Sequence, residues 1–93
     1  MIETAEHRLA AAEKLITLGN LEQAEAEVRS ILAVDEGHVR ALLALGGLLA
    51  KKGDLDAAWD IFGGLTSHDP QMHEAFYNLG LIYEAKKDLE AAQ

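Results

Sequence analysis

The chain repeats itself at a spacing of about 34 residues, and this period constrains the fold more than any single motif does. Residues 41–58 (ALLALGGLLAKKGDLDAA) align without a gap with residues 75–92 (AFYNLGLIYEAKKDLEAA), and a weaker copy covers residues 7–24. Eight residues of the first of these two copies recur unchanged 34 residues later: Ala41, Leu45, Gly46, Lys52, Asp54, Leu55, Ala57 and Ala58. Self-similarity at this period is typical of a solenoid, in which each unit buries its apolar face against its neighbours.

Each copy has the pattern of two helices joined by a tight turn. In the middle copy, Leu42, Leu45 and Leu49 recur at helical spacing and predict one apolar face. Gly53 can end this helix in the left-handed conformation, and Asp54 can cap the next one. The pattern predicts helices at about residues 3–17, 21–34, 38–51, 55–67 and 71–85.

Further turn residues predict where other helices begin. Asn20 stands as a cap before the second helix, and Asp69 with Pro70 is typical of a helix start. In the third copy Lys87 replaces the turn glycine, and a sixth helix is predicted to begin near Leu89.

These residues give the chain a resemblance to the tetratricopeptide-repeat family, whose helix–turn–helix repeat has the same period. The residues that carry it are Leu45-Gly46, Gly53-Asp54-Leu55 with Ala58 and Phe62, Asp69-Pro70, and Asn78-Leu79-Gly80 with Tyr83. The resemblance implies an all-α, right-handed helix–turn–helix superhelix in a single domain, residues 1–93. Two full repeats and an incomplete third are expected, at about 1–38, 39–72 and 73–93.

In the family's fold the first helix of each unit lines a concave groove, and one helical stripe per unit should face it. The resemblance therefore implies a non-catalytic module that presents this groove to a peptide or protein segment. The stripe is expected to combine apolar side chains with local positive charge from Arg40 and Lys51. Its candidate binding residues are Leu9, Glu13, Arg40, Leu43, Ala44, Gly47, Lys51, Tyr77, Asn78 and Leu81.

The alternative function is a self-assembling scaffold whose units stack between chains. The sequence reaches Gln93 before a sixth helix could cover the third unit. Leu79, Ile82, Tyr83 and Leu89 are therefore expected to present uncovered apolar surface, and a homodimer or larger assembly is expected to form through them.

Composition argues against several other functions. Sixteen acidic and eight basic residues give a formal charge of −8, which disfavours nucleic acid and anionic membranes as partners. Cysteine is absent, the four histidines form no i, i+4 pair, and no nucleophile elbow or phosphate loop occurs. We therefore expect no enzyme activity, no metal site and no cofactor. Without an apolar run long enough to span a bilayer, a cytoplasmic location is the default expectation.

Overall fold

The computed structural model describes residues 4–92, which form five α-helices and no strand. The helices are α1 (Ala5–Thr17), α2 (Leu21–Val34), α3 (Val39–Lys51), α4 (Leu55–His68) and α5 (His73–Ala91). The predicted ends of the first four helices are confirmed to within one residue. The predicted start of the first helix, at residue 3, lies outside the described residues. The all-α repeat solenoid predicted from the repeat period is confirmed.

Glycine makes the two tight turns that separate α1 from α2 and α3 from α4. Gly19 has a φ of 82° and Gly53 a φ of 88°, the left-handed conformation that a glycine adopts without steric cost. At each turn the following amide reaches back to close the helix, as when Asp54 N donates to Leu49 O at 2.8 Å. The Asp54 carboxylate then accepts from Ala57 N at 3.4 Å, which confirms the predicted cap.

The third copy does not turn. Lys87 stands one repeat period after Gly53, and α5 continues through it to Ala91 as a helix of 19 residues. The predicted helix end at residue 85 and the predicted sixth helix near Leu89 are therefore wrong. A lysine in the left-handed conformation would cost about 1 kcal/mol, whereas helical backbone keeps its hydrogen bonds at no such cost.

The second helix starts at Leu21 as predicted, but two of the predicted N-caps are wrong. The Asn20 side chain makes no capping hydrogen bond at the start of α2. Asp69 and Pro70 do not begin a helix but belong to the turn between α4 and α5, where Asp69 Oδ1 accepts from Gln71 N at 3.0 Å. This side-chain turn competes with helix formation, and α5 begins three residues after Pro70.

The helices pack in chain order, each on the next, and α3 also contacts α5. The result is an elongated body of 50 × 30 × 18 Å. A continuous apolar core runs along it, consistent with units that bury their faces against neighbours. Its buried residues are Leu9, Ala12, Ala24, Val28, Ile31, Ala41, Leu45, Leu48, Leu49, Ala58, Phe62, Leu65, Ala75 and Ile82.

An ion pair between neighbouring helices recurs with the same period. Lys52 Nζ, after α3, lies 2.7 Å from Glu22 Oε1 and 2.9 Å from Glu25 Oε1 of α2. One repeat period later, Lys86 of α5 pairs with Asp56 of α4. The hydrogen bond to Glu22 is the main cause that raises the pKa of Lys52, and the bond from Lys52 is the main cause that lowers the pKa of Glu25.

Candidate functional site

An open cavity of about 370 Å³ lies between α3 and α5, beside the first turn of α4. Its wall is mostly apolar, with one lysine and one asparagine as its polar side chains, which suits an amphipathic peptide segment. We call it the groove cavity. It is lined by Gly47, Ala50, Lys51, Leu55, Asn78, Leu81, Ile82 and Ala85.

A glycine in α3 leaves space for this cavity. A Cβ atom added to Gly47 would meet no atom within 4 Å, apart from its own helix backbone and chain neighbours. On the opposite wall of the cavity, Ile82 of α5 is buried in the core. Its neighbour Leu81 is 51% exposed and faces the groove. Any side chain at position 47 would enter this space.

The asparagine in the cavity wall is held by its own helix. Asn78 Nδ2 donates to the backbone carbonyl of Glu74 at 2.8 Å, one helical turn earlier. This bond restricts the rotamers of Asn78, so less side-chain entropy remains to be lost when a ligand binds.

The positive charge of the groove lies at one end. Arg40 NH2 lies 3.5 Å from Glu13 Oε1, so these two candidate binding residues form an ion pair that joins α3 to α1, and their charges offset one another. Lys51 lines the groove cavity at the other end of α3, and no carboxylate of residues 4–92 lies within ion-pair distance of it. Of the two predicted cations, Lys51 is therefore the one available to an acidic ligand group.

The structure brings four of the predicted binding residues together in the groove cavity: Gly47, Lys51, Asn78 and Leu81. Tyr77 lies one turn before Leu81 on α5 and is 68% exposed, outside the cavity wall. Leu43 and Ala44 are half-buried against the core. Leu9 is fully packed in the core, so the expectation that it lines the groove is wrong.

The candidate binding residues include only half of the cavity wall. Ala85 lies on the predicted stripe of α5, four residues after Leu81, but was not among the candidates. Ala50 has a small side chain that carries no chemical signal, and Leu55 comes from α4, outside the predicted stripes. Ile82 was expected to be uncovered, but it is only 3% exposed, so that expectation is wrong. Leu79 is also half-buried against the core, whereas Tyr83 and Leu89 are exposed.

A second surface, with two exposed aromatic side chains, lies on the side of α5 that faces away from the core. We call it the outer face of α5 and define it by His73, Phe76, Gly80, Tyr83, Lys87 and Glu90, which follow one another at steps of three and four residues. Phe76 is 48% exposed and Tyr83 is 52% exposed. Lys87 Nζ lies 5.5 Å from the centre of the Tyr83 ring, in cation–π geometry.

The corresponding face of α3 is covered. There, α4 packs so closely that a Cβ atom added to Gly46 would lie 2.6 Å from Phe62 Cζ. At Gly80, one repeat period later, an added Cβ atom would meet nothing within 4 Å. The outer face of α5 thus has the residues of a helix–helix contact but no helix on it among residues 4–92.

Trp59 of α4 borders this uncovered face. It is 41% exposed and lines a half-open hollow of about 370 Å³ together with Tyr83, Lys86, Lys87 and Glu90. The junction between α4 and α5 therefore covers only part of the Trp59 ring.

The described residues 4–92 contain no group of three or more His, Asp or Glu side chains placed to hold a metal ion. In the same range no helix combines the length and the apolar composition needed to cross a membrane.

The fold is that of a helical-repeat protein. Tetratricopeptide-repeat models match residues 15–71 and residues 73–93, and the chain belongs to the tetratricopeptide-repeat family. The family resemblance predicted from the sequence is thereby confirmed, and with it the assignment to protein-interaction modules.

Among solved structures, the chain is similar to YrrB, described as a TPR protein with an unusual peptide-binding site. The two share 28% sequence identity with a TM-score of 0.80. The match covers 92% of this chain but 44% of the YrrB chain, so this chain spans less than half of that relative. A search of curated proteins found no match.

Proposed function

We propose that the chain is a non-catalytic interaction module that binds an extended peptide segment in the groove cavity. The observation that carries this proposal is the convergence of Gly47, Lys51, Asn78 and Leu81 on one open, mostly apolar cavity. The peptide-binding site named for YrrB is consistent with such a role, although that site belongs to YrrB.

The lining of the cavity indicates what the segment should contain. An apolar side chain fits beside Leu55, Leu81 and Ile82, where it would remove apolar surface from water. An acidic group one or two residues away could reach Lys51, which has no ion-pair partner among residues 4–92. We therefore expect a preference for an apolar residue flanked by Asp or Glu.

This proposal is tested with a fluorescent peptide library that varies one apolar and one charged position. The strongest binders are then titrated by fluorescence anisotropy against the wild-type chain and Gly47→Leu. A leucine at position 47 enters the groove cavity, so Gly47→Leu should lose at least tenfold in affinity. Gly64→Leu is the matched control, because Gly64 is also a helical glycine with open space around it.

A charge variant tests the predicted preference. Lys51→Glu should weaken binding of the acidic peptides and strengthen that of peptides with Lys in place of the acid. Equal binding of the acidic peptides by wild type, Gly47→Leu and Lys51→Glu would show that the segment binds elsewhere.

We also propose, as a second function, self-association through α5. The specific observation in its favour is the uncovered outer face with half-exposed Phe76 and Tyr83. Of the four residues predicted for this role, Tyr83 lies on that face and Ile82 is excluded by burial.

The absence of nucleic-acid partners and a cytoplasmic location stay predictions. The first of these rests on the formal charge of −8.

A further inference from the structure

We infer that two copies of the chain pair through the outer faces of their α5 helices, antiparallel and about a twofold axis, with Tyr83 of each copy seated on Gly80 of the other. This inference rests on the second proposed function, self-association, and specifies its surface and register. It is independent of peptide binding in the groove cavity.

The contact between α3 and α4 provides an internal template for this pairing. In that antiparallel pair the Phe62 ring lies against Gly46, whose missing side chain allows the two helices to approach. The outer face of α5 carries both halves of such a contact, a bare glycine at Gly80 and an exposed aromatic ring at Tyr83. A twofold axis between them places each ring on the other copy's glycine, so the contact is made twice.

The same register matches the other residues of the outer face. With Tyr83 opposite Gly80, Lys87 comes opposite Phe76 of the other copy, and Glu90 comes opposite His73. A lysine next to an aromatic ring and an acid next to a histidine are favourable neighbours. Lys87 already lies along this face in the single chain, over the Tyr83 ring at 5.5 Å.

An alternative register fits less well. If Gly80 lay opposite Gly80, then Lys87 would face His73 and Phe76 would face Glu84. Two basic side chains would then meet, and a carboxylate would lie against the negative face of an aromatic ring. Of these two registers, charge complementarity favours the one with Tyr83 on Gly80.

The first experiment asks whether the outer face mediates self-association. Sedimentation equilibrium of the full chain, up to about 500 µM to detect weak affinity, should show a species of twice the 10.1 kDa monomer mass. Gly80→Leu should reduce the association constant at least tenfold, because the leucine side chain fills the space that the partner's Tyr83 ring would occupy in the dimer. Circular dichroism should show that this variant keeps its helix content, since position 80 has open space in the single chain. Gly64→Leu should associate as the wild type does.

The second experiment tests the register. The chain has no cysteine, so single cysteines can be introduced at chosen positions. Mixing His73→Cys and Glu90→Cys chains under oxidising conditions should give a disulfide-linked heterodimer. Neither variant should cross-link efficiently alone, because residues 73 and 90 are about 25 Å apart along a helix.

The outcomes separate the inference from the proposals on which it rests. A strictly monomeric wild type would overturn both self-association and this pairing while leaving groove binding intact. A dimer that withstands Gly80→Leu, or that cross-links through His73→Cys alone, would overturn the pairing and leave self-association standing.

Discussion

Two glycines separated by one repeat period should respond in opposite directions to the same substitution. Gly46 and Gly80 occupy equivalent positions of the repeat, one in α3 and the other in α5. Replacing a helical glycine with alanine stabilises the helix by about 1 kcal/mol through backbone entropy alone. What differs is the space available to the new methyl group.

At Gly46 that space is filled. An added Cβ atom would lie 2.6 Å from Phe62 Cζ and 2.8 Å from Phe62 Cε2, and the ring is only 1% exposed, so it cannot turn away into solvent. Overpacking of this kind costs about 1–3 kcal/mol. After the gain in helix propensity, we expect Gly46→Ala to destabilise the chain by about 1 kcal/mol.

At Gly80 an added Cβ atom would meet nothing within 4 Å, so only the helix-propensity term remains. We expect Gly80→Ala to stabilise the chain by about 1 kcal/mol. The two variants should then differ by about 2 kcal/mol, or roughly 8–16 °C in midpoint temperature for a domain of this size.

Thermal and urea unfolding followed by circular dichroism measure both changes, at a low concentration where the chain is monomeric. Gly64→Ala provides the control for helix propensity at another open helical glycine, and it should match Gly80→Ala. If Gly46→Ala stabilises the chain as much as Gly80→Ala does, the close approach of α3 and α4 is not as described. If Gly80→Ala destabilises it, a group that the single chain does not supply covers the outer face of α5.

Three further variants test the core, the long helix and the recurrent ion pair. Ile82→Ala should destabilise the chain by about 2–5 kcal/mol, whereas Leu81→Ala should change stability by less than about 0.5 kcal/mol, as urea unfolding would show. Lys87→Gly should raise the rate of amide hydrogen exchange at the residues after position 87, because glycine weakens the helix there. Unchanged exchange rates would contradict this explanation of why α5 continues past residue 87. Since the pKa of Glu25 is lowered in the fold, its contribution to stability is present above its ordinary pKa of 4.5 and is lost as pH falls through the lowered value. Lys52→Met should therefore flatten the stability–pH profile below about pH 5, and parallel profiles for the two chains would contradict this linkage.

Most of the fold follows from local signals that lie close together in the sequence. The apolar spacing of Leu42, Leu45 and Leu49 and the glycines at 19 and 53 are enough to place four helices and two turns. The failures occur where one residue decides between two local structures of similar energy. Lys87 could strain into a turn or continue the helix, and the sequence pattern of its neighbours favoured the turn.

The groove cavity was only partly predictable for a different reason. A helical stripe identifies which residues share a face, but it does not determine how far each side chain is covered by the neighbouring helix. Leu9 and Leu43 occupy equivalent positions, yet Leu9 is buried and Leu43 is half-buried. Leu55 reaches the groove cavity from another helix, which no single stripe contains.

The groove cavity and the outer face both use α5, and the geometry of one helix indicates whether they interfere. At about 100° per residue, Leu81 and Asn78 point roughly 150° away from the direction shared by Phe76, Gly80 and Tyr83. The core residues Ala75 and Ile82 occupy a sector between the two directions. A peptide in the groove and a second copy on the outer face should therefore bind at the same time.

This independence can be measured with the two glycine variants together. Gly47→Leu should remove peptide binding without changing the sedimentation mass, and Gly80→Leu should remove the dimer without changing peptide affinity. The double variant should show both losses at their single-variant size, because sites with no shared contacts are additive. A peptide affinity that depends on chain concentration would instead show that dimer formation and groove binding are coupled, and the assignment of the two sites to separate faces of α5 would then be wrong.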